Sequence, residues 1–261
     1  MRIFVVSLAG HQRRKQITKS LGALGVDFEF FDAVDGSNLT GEQKKLIDVK
    51  ATLNNIPAGL NDGEYACALS HALIYKKVIS ERIPNALILE DDALVNDDLK
   101  RMLSARVFEN SKFDLIMLCY LKAWRKKCSL KPFFEGYRSF TLWNAPFRTA
   151  GYYINLKAAK NLNRVAIPIS STADWPIGAF KGILAACLEP QLVIHPDASI
   201  IESTLEVKRK SKEIFYKENK KPRSFLSKYK RKILTSYFVP KRNNNKLPHF
   251  WLKLLGSKIN W

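Results

Sequence analysis

Apolar positions near the start of the chain fall in short unbroken runs, with helical stripes between them. Ile3 to Leu8 is apolar apart from Ser7, which predicts a buried strand. Gln12 to Leu24 predicts a helix that breaks at Gly25, and Phe28 to Phe31 a second strand. Strand, helix and strand at this spacing form a βαβ unit and predict a parallel sheet. Thr40 to Asp48 reads as a short polar helix and Asn54 to Asn61 as loop. A longer helix follows from Asp62 to Arg82, with Asn61 or Asp62 as N-cap and Glu64 in its first turn. Its stripe of Cys67, His71, Ile74 and Val78 recurs at i, i+4, i+7 and i+11, so His71 lies on the apolar face. A lone histidine there is more often a hydrogen-bonded core residue than a ligand.

Pro84 ends that helix, and Ala86 to Leu89 predicts another buried strand. Beyond it come a helix near Asp97 to Phe108 and a strand over Asp114 to Cys119. Residues 120–148 read as irregular, a plausible acceptor loop. Thr149 to Ile154 returns to strand, and Lys157 to Leu162 to short helix. The polar loop Ser170 to Pro176 opens a helix with Asp174 as its cap, and Gln191 to His195 forms a last short strand.

The apolar run Ala86 to Leu89 ends abruptly in three carboxylates, Glu90, Asp91 and Asp92. Three like charges in a row cannot continue a buried strand cheaply. A solvated turn is the ordinary explanation of such a triplet. Open α/β sheets, however, bind ligands at the carboxyl ends of their strands, and clustered carboxylate oxygens suit a hard divalent cation carrying phosphate. The triplet therefore reads as a metal and nucleotide site. Ser7, ending the first strand, and Arg13 and Arg14, opening the first helix, stand where a nucleotide would meet them.

Charge changes the picture at the far end. Residues 207–261 hold 17 Lys/Arg against two acids, Glu213 and Glu218, so they carry +15 of the total +19. The chain thus divides into a nearly neutral body, 1–206, and a basic tail, 207–261, expected to be helical. The tail interleaves its lysines with nine aromatics, from Phe215 to Trp261. That pattern fits a single-stranded nucleic acid or an anionic membrane surface. Cys67, Cys119, Cys128 and Cys187 form no CxxC pair, which fits buried thiols in a reducing compartment. No run reaches the ~18–20 apolar residues of a membrane span. A cytoplasmic protein, peripheral on a membrane face, is expected.

Several motifs stand in a fixed order: Val6-Ser7-Leu8 with Arg13-Arg14, Phe30-Phe31-Asp32-Ala33, Gly63-Glu64 with Cys67 and Leu69-Ser70-His71, Leu89-Glu90-Asp91-Asp92, Thr149-Ala150-Gly151-Tyr152, and Asp174. Over roughly residues 3 to 200 this set resembles glycosyltransferase family 25, the bacterial lipooligosaccharide galactosyltransferases. The resemblance implies an α/β, GT-A-type, Rossmann-like nucleotide-sugar sheet flanked by helices. It also implies a UDP-galactose donor, inverting transfer to a lipid-linked saccharide of the lipooligosaccharide or LPS core, and Mn²⁺ or Mg²⁺ as cofactor. UDP-glucose or UDP-N-acetylglucosamine is the alternative donor, and a non-catalytic nucleic-acid or membrane adaptor the alternative class. The triplet argues against the adaptor, and nucleic acid becomes the lesser use of the tail.

By the same resemblance Asp92 is the metal ligand and Glu90 the ribose contact, with Asp91 between those roles. His195, just beyond the late strand, could add a nitrogen ligand, as histidines do elsewhere in this fold; the family does not require a histidine there, and a satisfied strand-end histidine is the alternative. Inverting transfer needs a general base to deprotonate the acceptor hydroxyl. The family's late aspartate matches Asp174, although Thr172 stands where its proline would be. Gly151 would permit close backbone approach, and Tyr152 and Trp175 would offer faces to an acceptor sugar.

Overall fold

Strand β1 (Arg2–Ser7) is buried from Ile3 onward because it has a parallel partner on each side. These are β2 (Glu29–Asp32), reached through helix α1 (Arg13–Ala23), and β3 (Asn85–Glu90). Gly25, with φ of +61°, turns the chain out of α1 as its position predicts. The computed structural model of the chain describes residues 1–126, 129–142, 144–196 and 238–240. Cys128, Trp143 and nearly all of the basic tail lie outside the described residues.

Between β2 and β3 the chain makes three helices where two were expected. Thr40 and Gln43 form a capping box that opens α2 (Gly41–Lys45). Asp48 then accepts a hydrogen bond from the Ala51 amide, so it starts α3 (Val49–Asn55) instead of ending the helix before it. Helix α4 (Asp62–Ser80) opens as predicted, with a capping box between Asn61 and Glu64. Two-residue β4 (Leu94–Val95) and helix α5 (Asp98–Ser104) follow the carboxylates.

Downstream are β5 (Leu115–Met117), β6 (Trp124–Lys126), β7 (Lys131–Phe134), β8 (Tyr137–Thr141), β9 (Gly151–Asn155), α6 (Leu156–Ala166), β10 (Ala185–Glu189) and β11 (Val193–Ile194). The main sheet has the order β2-β1-β3-β9-β5-β10-β8-β7. It is α/β with helices on both faces, and mainly parallel as the βαβ unit predicts, although β9 and β8 run against the other six strands. The chain leaves β5 and re-enters β9 at one end of the sheet, where the Leu118 and Cys119 amides both reach the Gly151 carbonyl. A strand re-entering where its neighbour left must run antiparallel; a parallel partner needs a crossover. Residues 120–148 are likewise more regular than expected, since β7 and β8 form a hairpin through Glu135 and Gly136, both at positive φ.

Both faces of the sheet are covered. Phe4, Ala86 and Ile88 pack with α4 and α6, whereas Ile3, Val5, Leu87 and Leu89 pack with Ile17 and Leu21 of α1 and Leu99 and Met102 of α5. Strands buried on both faces read as continuous apolar runs, which is how β1 and β3 could be found. No helix among the described residues is long and apolar enough to cross a membrane.

Two further features aim the site. Strands β4 and β11 pair antiparallel, Ile194 against Leu94. The chain therefore leaves this ribbon at His195 alongside the residues just after the triplet. In the tail, β12 (Phe238–Pro240) pairs with β6 of the body.

Candidate active site

The carboxylates stand where β1 and β3 end together. Val6 is in register with Glu90, so the next residues, Ser7 and Asp91, meet beyond the last ladder bonds. Ser7 Oγ donates to Asp91 Oδ2 at 2.7 Å. Arg13, in the first turn of α1, brings Nη1 to 3.5 Å from both Asp91 Oδ1 and Asp92 Oδ2. His11 Nδ1 lies 3.8 Å from Asp91 Oδ2. Asp91 is thus turned toward β1 and α1 and held there. Arg14 points away: it donates to the Ser7 carbonyl at 2.8 Å, pairs with Asp32 and lies over the Phe30 ring. Of the two arginines, only Arg13 faces the carboxylates.

Glu90 turns the other way. It accepts from Thr149 Oγ1 at 2.7 Å, and His71 Nε2 lies 3.3 Å from the same oxygen. His71 is 1% exposed and its Nδ1 meets Tyr152 Oη at 2.7 Å, with Tyr75 Oη beyond. It is the hydrogen-bonded core histidine that its stripe suggested, and it also touches the triplet. Burial alone would raise the Glu90 carboxyl. The hydrogen bond and charge of His71, the Thr149 hydroxyl and the charge of His195 outweigh that and hold it below its ordinary value.

Asp92 completes the group with Glu90 and His195, whose ligand atoms all lie within 4.8 Å of one another. His195 Nδ1 meets the Pro196 carbonyl at 2.6 Å. A carbonyl only accepts, so Nδ1 carries the proton and Nε2 faces Asp92 Oδ2 at 3.5 Å. Asp92 Oδ1 is buried with no hydrogen-bond partner. Burial, then the charge of Glu90, push the Asp92 carboxyl up to about 6, against the opposing charges of His195 and Arg13. An orphaned carboxylate oxygen, a second carboxylate and an imidazole nitrogen fixed from behind fit a divalent cation with oxygen and nitrogen ligands.

The expected acceptor side fares differently. Tyr152 is fully buried, packed edge-on against Trp175, which is itself 4% exposed, so neither ring offers a face to a sugar. Gly151 is needed for packing: a Cβ there would stand 2.9 Å from the Val193 side chain. Asp174 does not cap a helix, because residues 171–184 form turns and irregular chain. Pro176 disfavours helical backbone at the residue before it, and Trp175 takes φ of +88° instead. Asp174 Oδ1 accepts from the Arg148 amide at 2.7 Å, one residue before the Thr149 that binds Glu90. His11 and Thr149 went unread as site residues. His11 lies in a turn with no periodic signal, and Thr149 was read as the start of a strand and as part of a motif, with no contact to the carboxylates assigned to it. A cavity of about 530 Å³ is lined by Lys112, Phe113, Lys131 and Phe133 at the opposite end of the sheet, and no carboxylate or histidine lines it.

The model of glycosyltransferase family 25 (LPS biosynthesis protein) matches residues 1–176. The chain is 32% identical over 170 residues to lipooligosaccharide biosynthesis protein lic2B of Haemophilus influenzae, covering 61% of each. It is 30% identical over 185 residues to the lacto-N-neotetraose biosynthesis glycosyltransferase LgtE of Neisseria meningitidis serogroup B, covering 67% of this chain and 63% of that one. Procollagen galactosyltransferase 1-A of Xenopus laevis is 30% identical over 172 residues, 61% of this chain and 27% of that protein. The chain thus spans about three fifths of the length of lic2B.

The raised Asp92 carboxyl gives a stability prediction. Between 3.8 and about 6 the folded chain keeps a proton that the unfolded chain has lost, so this group makes stability fall as pH rises through that window. Asp92→Asn, measured without added metal, is expected to stabilise the fold at pH 7 by about 1–3 kcal/mol, a few degrees in Tm. The gain should shrink toward pH 4. An equal or lower Tm at pH 7 contradicts this account of Asp92.

Proposed function

The chain belongs to glycosyltransferase family 25, and we propose that it transfers galactose from UDP-galactose, with inversion, to a sugar of a lipooligosaccharide or LPS core. The observation that carries this reading is the group of Glu90, Asp92 and His195 where β3 ends. Glu90 joins the cation set here in addition to its expected ribose contact. These three would hold Mn²⁺ or Mg²⁺, which when bound supplies Lewis-acid stabilisation of the departing diphosphate. The printed names of the relatives support the rest: lipooligosaccharide biosynthesis for lic2B and galactosyl transfer for the procollagen enzyme.

The chain's own residues do the remaining work. Arg13 brings a positive charge to the diphosphate, and Ser7 and Asp91 hold the nucleotide side of the site. Asp174 takes the proton from the acceptor hydroxyl as its oxygen bonds to the anomeric carbon. The bond from that carbon to the UDP oxygen breaks, and an α-linked donor gives a β-linked product. Asn at 174 can still accept from the Arg148 amide, so Asp174→Asn is expected to bind UDP normally and to lose about 10²–10⁴-fold in transfer. Transfer assays across UDP-galactose, UDP-glucose and UDP-N-acetylglucosamine check both claims. Faster turnover of another sugar would move the donor assignment, and near-normal turnover of the variant would leave Asp174 as a backbone anchor only.

The +15 tail accounts for a second part of the reading, a hold on the anionic cytoplasmic face of the inner membrane beside a lipid-linked acceptor. Co-sedimentation with anionic vesicles should be strong at low salt and weaker at high salt, since charges are screened beyond about 8–10 Å at physiological ionic strength. Aromatic burial should leave a salt-resistant remainder. Absence of vesicle binding at low salt removes this part of the proposal.

A further inference from the structure

A second group of metal-ligating atoms stands behind the first. Cys67, His71 and Glu90 bring a sulfur, an imidazole nitrogen and a carboxylate oxygen within 4.8 Å of one another. Cys67 and His71 are one turn apart on α4, the i, i+4 spacing by which a helix offers two ligands on one face. We propose that these three side chains form a site for a borderline-soft divalent cation such as Zn²⁺, distinct from the carboxylate-rich group of Asp92 and His195.

The geometry favours a cation over the contacts present now. His71 Nε2 and Glu90 Oε1 are 3.3 Å apart, long for a charge-assisted hydrogen bond, which runs about 2.7–2.9 Å. Two ligands each about 2.0–2.1 Å from a tetrahedral Zn²⁺ stand about 3.3–3.4 Å apart, which matches that separation. Tyr152 Oη, 2.7 Å from Nδ1, fixes the ring from behind as an outer partner does at metal-bound histidines. Cys67 is a free thiol on a half-buried residue, unlike the fully buried Cys119 and Cys187. The donor set also separates the two sites. Thiolate with imidazole selects Zn²⁺, whereas the Asp92 group, without sulfur, suits Mn²⁺ or Mg²⁺.

Glu90 belongs to both groups, so a thiophilic cation at Cys67 would draw it from the donor side and make donor binding sensitive to Zn²⁺. That consequence rests on the glycosyltransferase reading of Glu90; the site itself does not, and the experiment below involves no donor. Titrating the full chain with Co²⁺ alone, as a spectroscopic stand-in for Zn²⁺, should produce a thiolate-to-cobalt charge-transfer absorption that saturates at one equivalent. Cys67→Ser should abolish that absorption, and Asp92→Asn should keep it. On the unmodified protein, Zn²⁺ should slow iodoacetamide alkylation of Cys67 at least tenfold, read by peptide mass spectrometry, so the decision does not depend on the variants folding. The proposal is overturned if the wild type shows no charge-transfer absorption, if the absorption survives Cys67→Ser or disappears in Asp92→Asn, or if Zn²⁺ leaves Cys67 alkylation unchanged.

Discussion

A buried strand that ends in three carboxylates must find positive charge for them, and much of this molecule is arranged around that requirement. Each acid meets it differently. Asp91 is drawn toward Ser7, His11 and Arg13. Glu90 is met by His71 from α4 and by Thr149 from the chain entering β9. Asp92 is left with one oxygen unpartnered and a carboxyl pushed up to about 6. Neighbouring like charges in a low dielectric are costly unless paired. Here the least satisfied of the three, Asp92, shares the group of possible ligand atoms with Glu90 and His195, and an incoming cation would relieve them together.

That arrangement uses contacts far apart in sequence. β1 and β3 must end level to bring Ser7 to Asp91, and their parallel register does this. The β4–β11 ribbon must return His195 to the triplet after about a hundred intervening residues, and its pairing with Leu94 and Val95 fixes where it arrives. Gly151 lets Val193 of that ribbon pack directly on β9, so a glycine expected as an acceptor contact seats the strand that leads to the histidine facing Asp92. The stability cost of an ionised Asp92 is then what a cation bound at this group would offset.

What was legible in the sequence was what local chemistry dictates. The apolar runs of β1 and β3, the capping box of α4 and the abrupt acids at the end of β3 each carry their signal within a few residues. Strand direction was not legible, because whether β9 runs with or against β3 depends on where residues 120–148 leave the sheet. β10, an interior strand of the sheet, went unread because Ile183 to Leu188 is a short run among turns, with no flanking helix to mark it. Tyr152 and Trp175 were misjudged for a general reason: an aromatic near a motif fills a core as readily as it lines a site, and only burial separates the two. Asp174 was assigned as the cap of a helix, although Pro176 disfavours helical backbone at the intervening Trp175.

The central claim is that Glu90, Asp92 and His195 hold a divalent cation that ties the nucleotide to the end of β3. Isothermal titration of the intact protein with UDP, with and without Mn²⁺, tests it most directly. The account predicts UDP binding that Mn²⁺ strengthens at least tenfold, an enhancement that Asp92→Ala removes and that fades as pH falls through about 6, where the proton competes for the same carboxylate. UDP affinity that is indifferent to Mn²⁺, or an enhancement that survives Asp92→Ala, would contradict it.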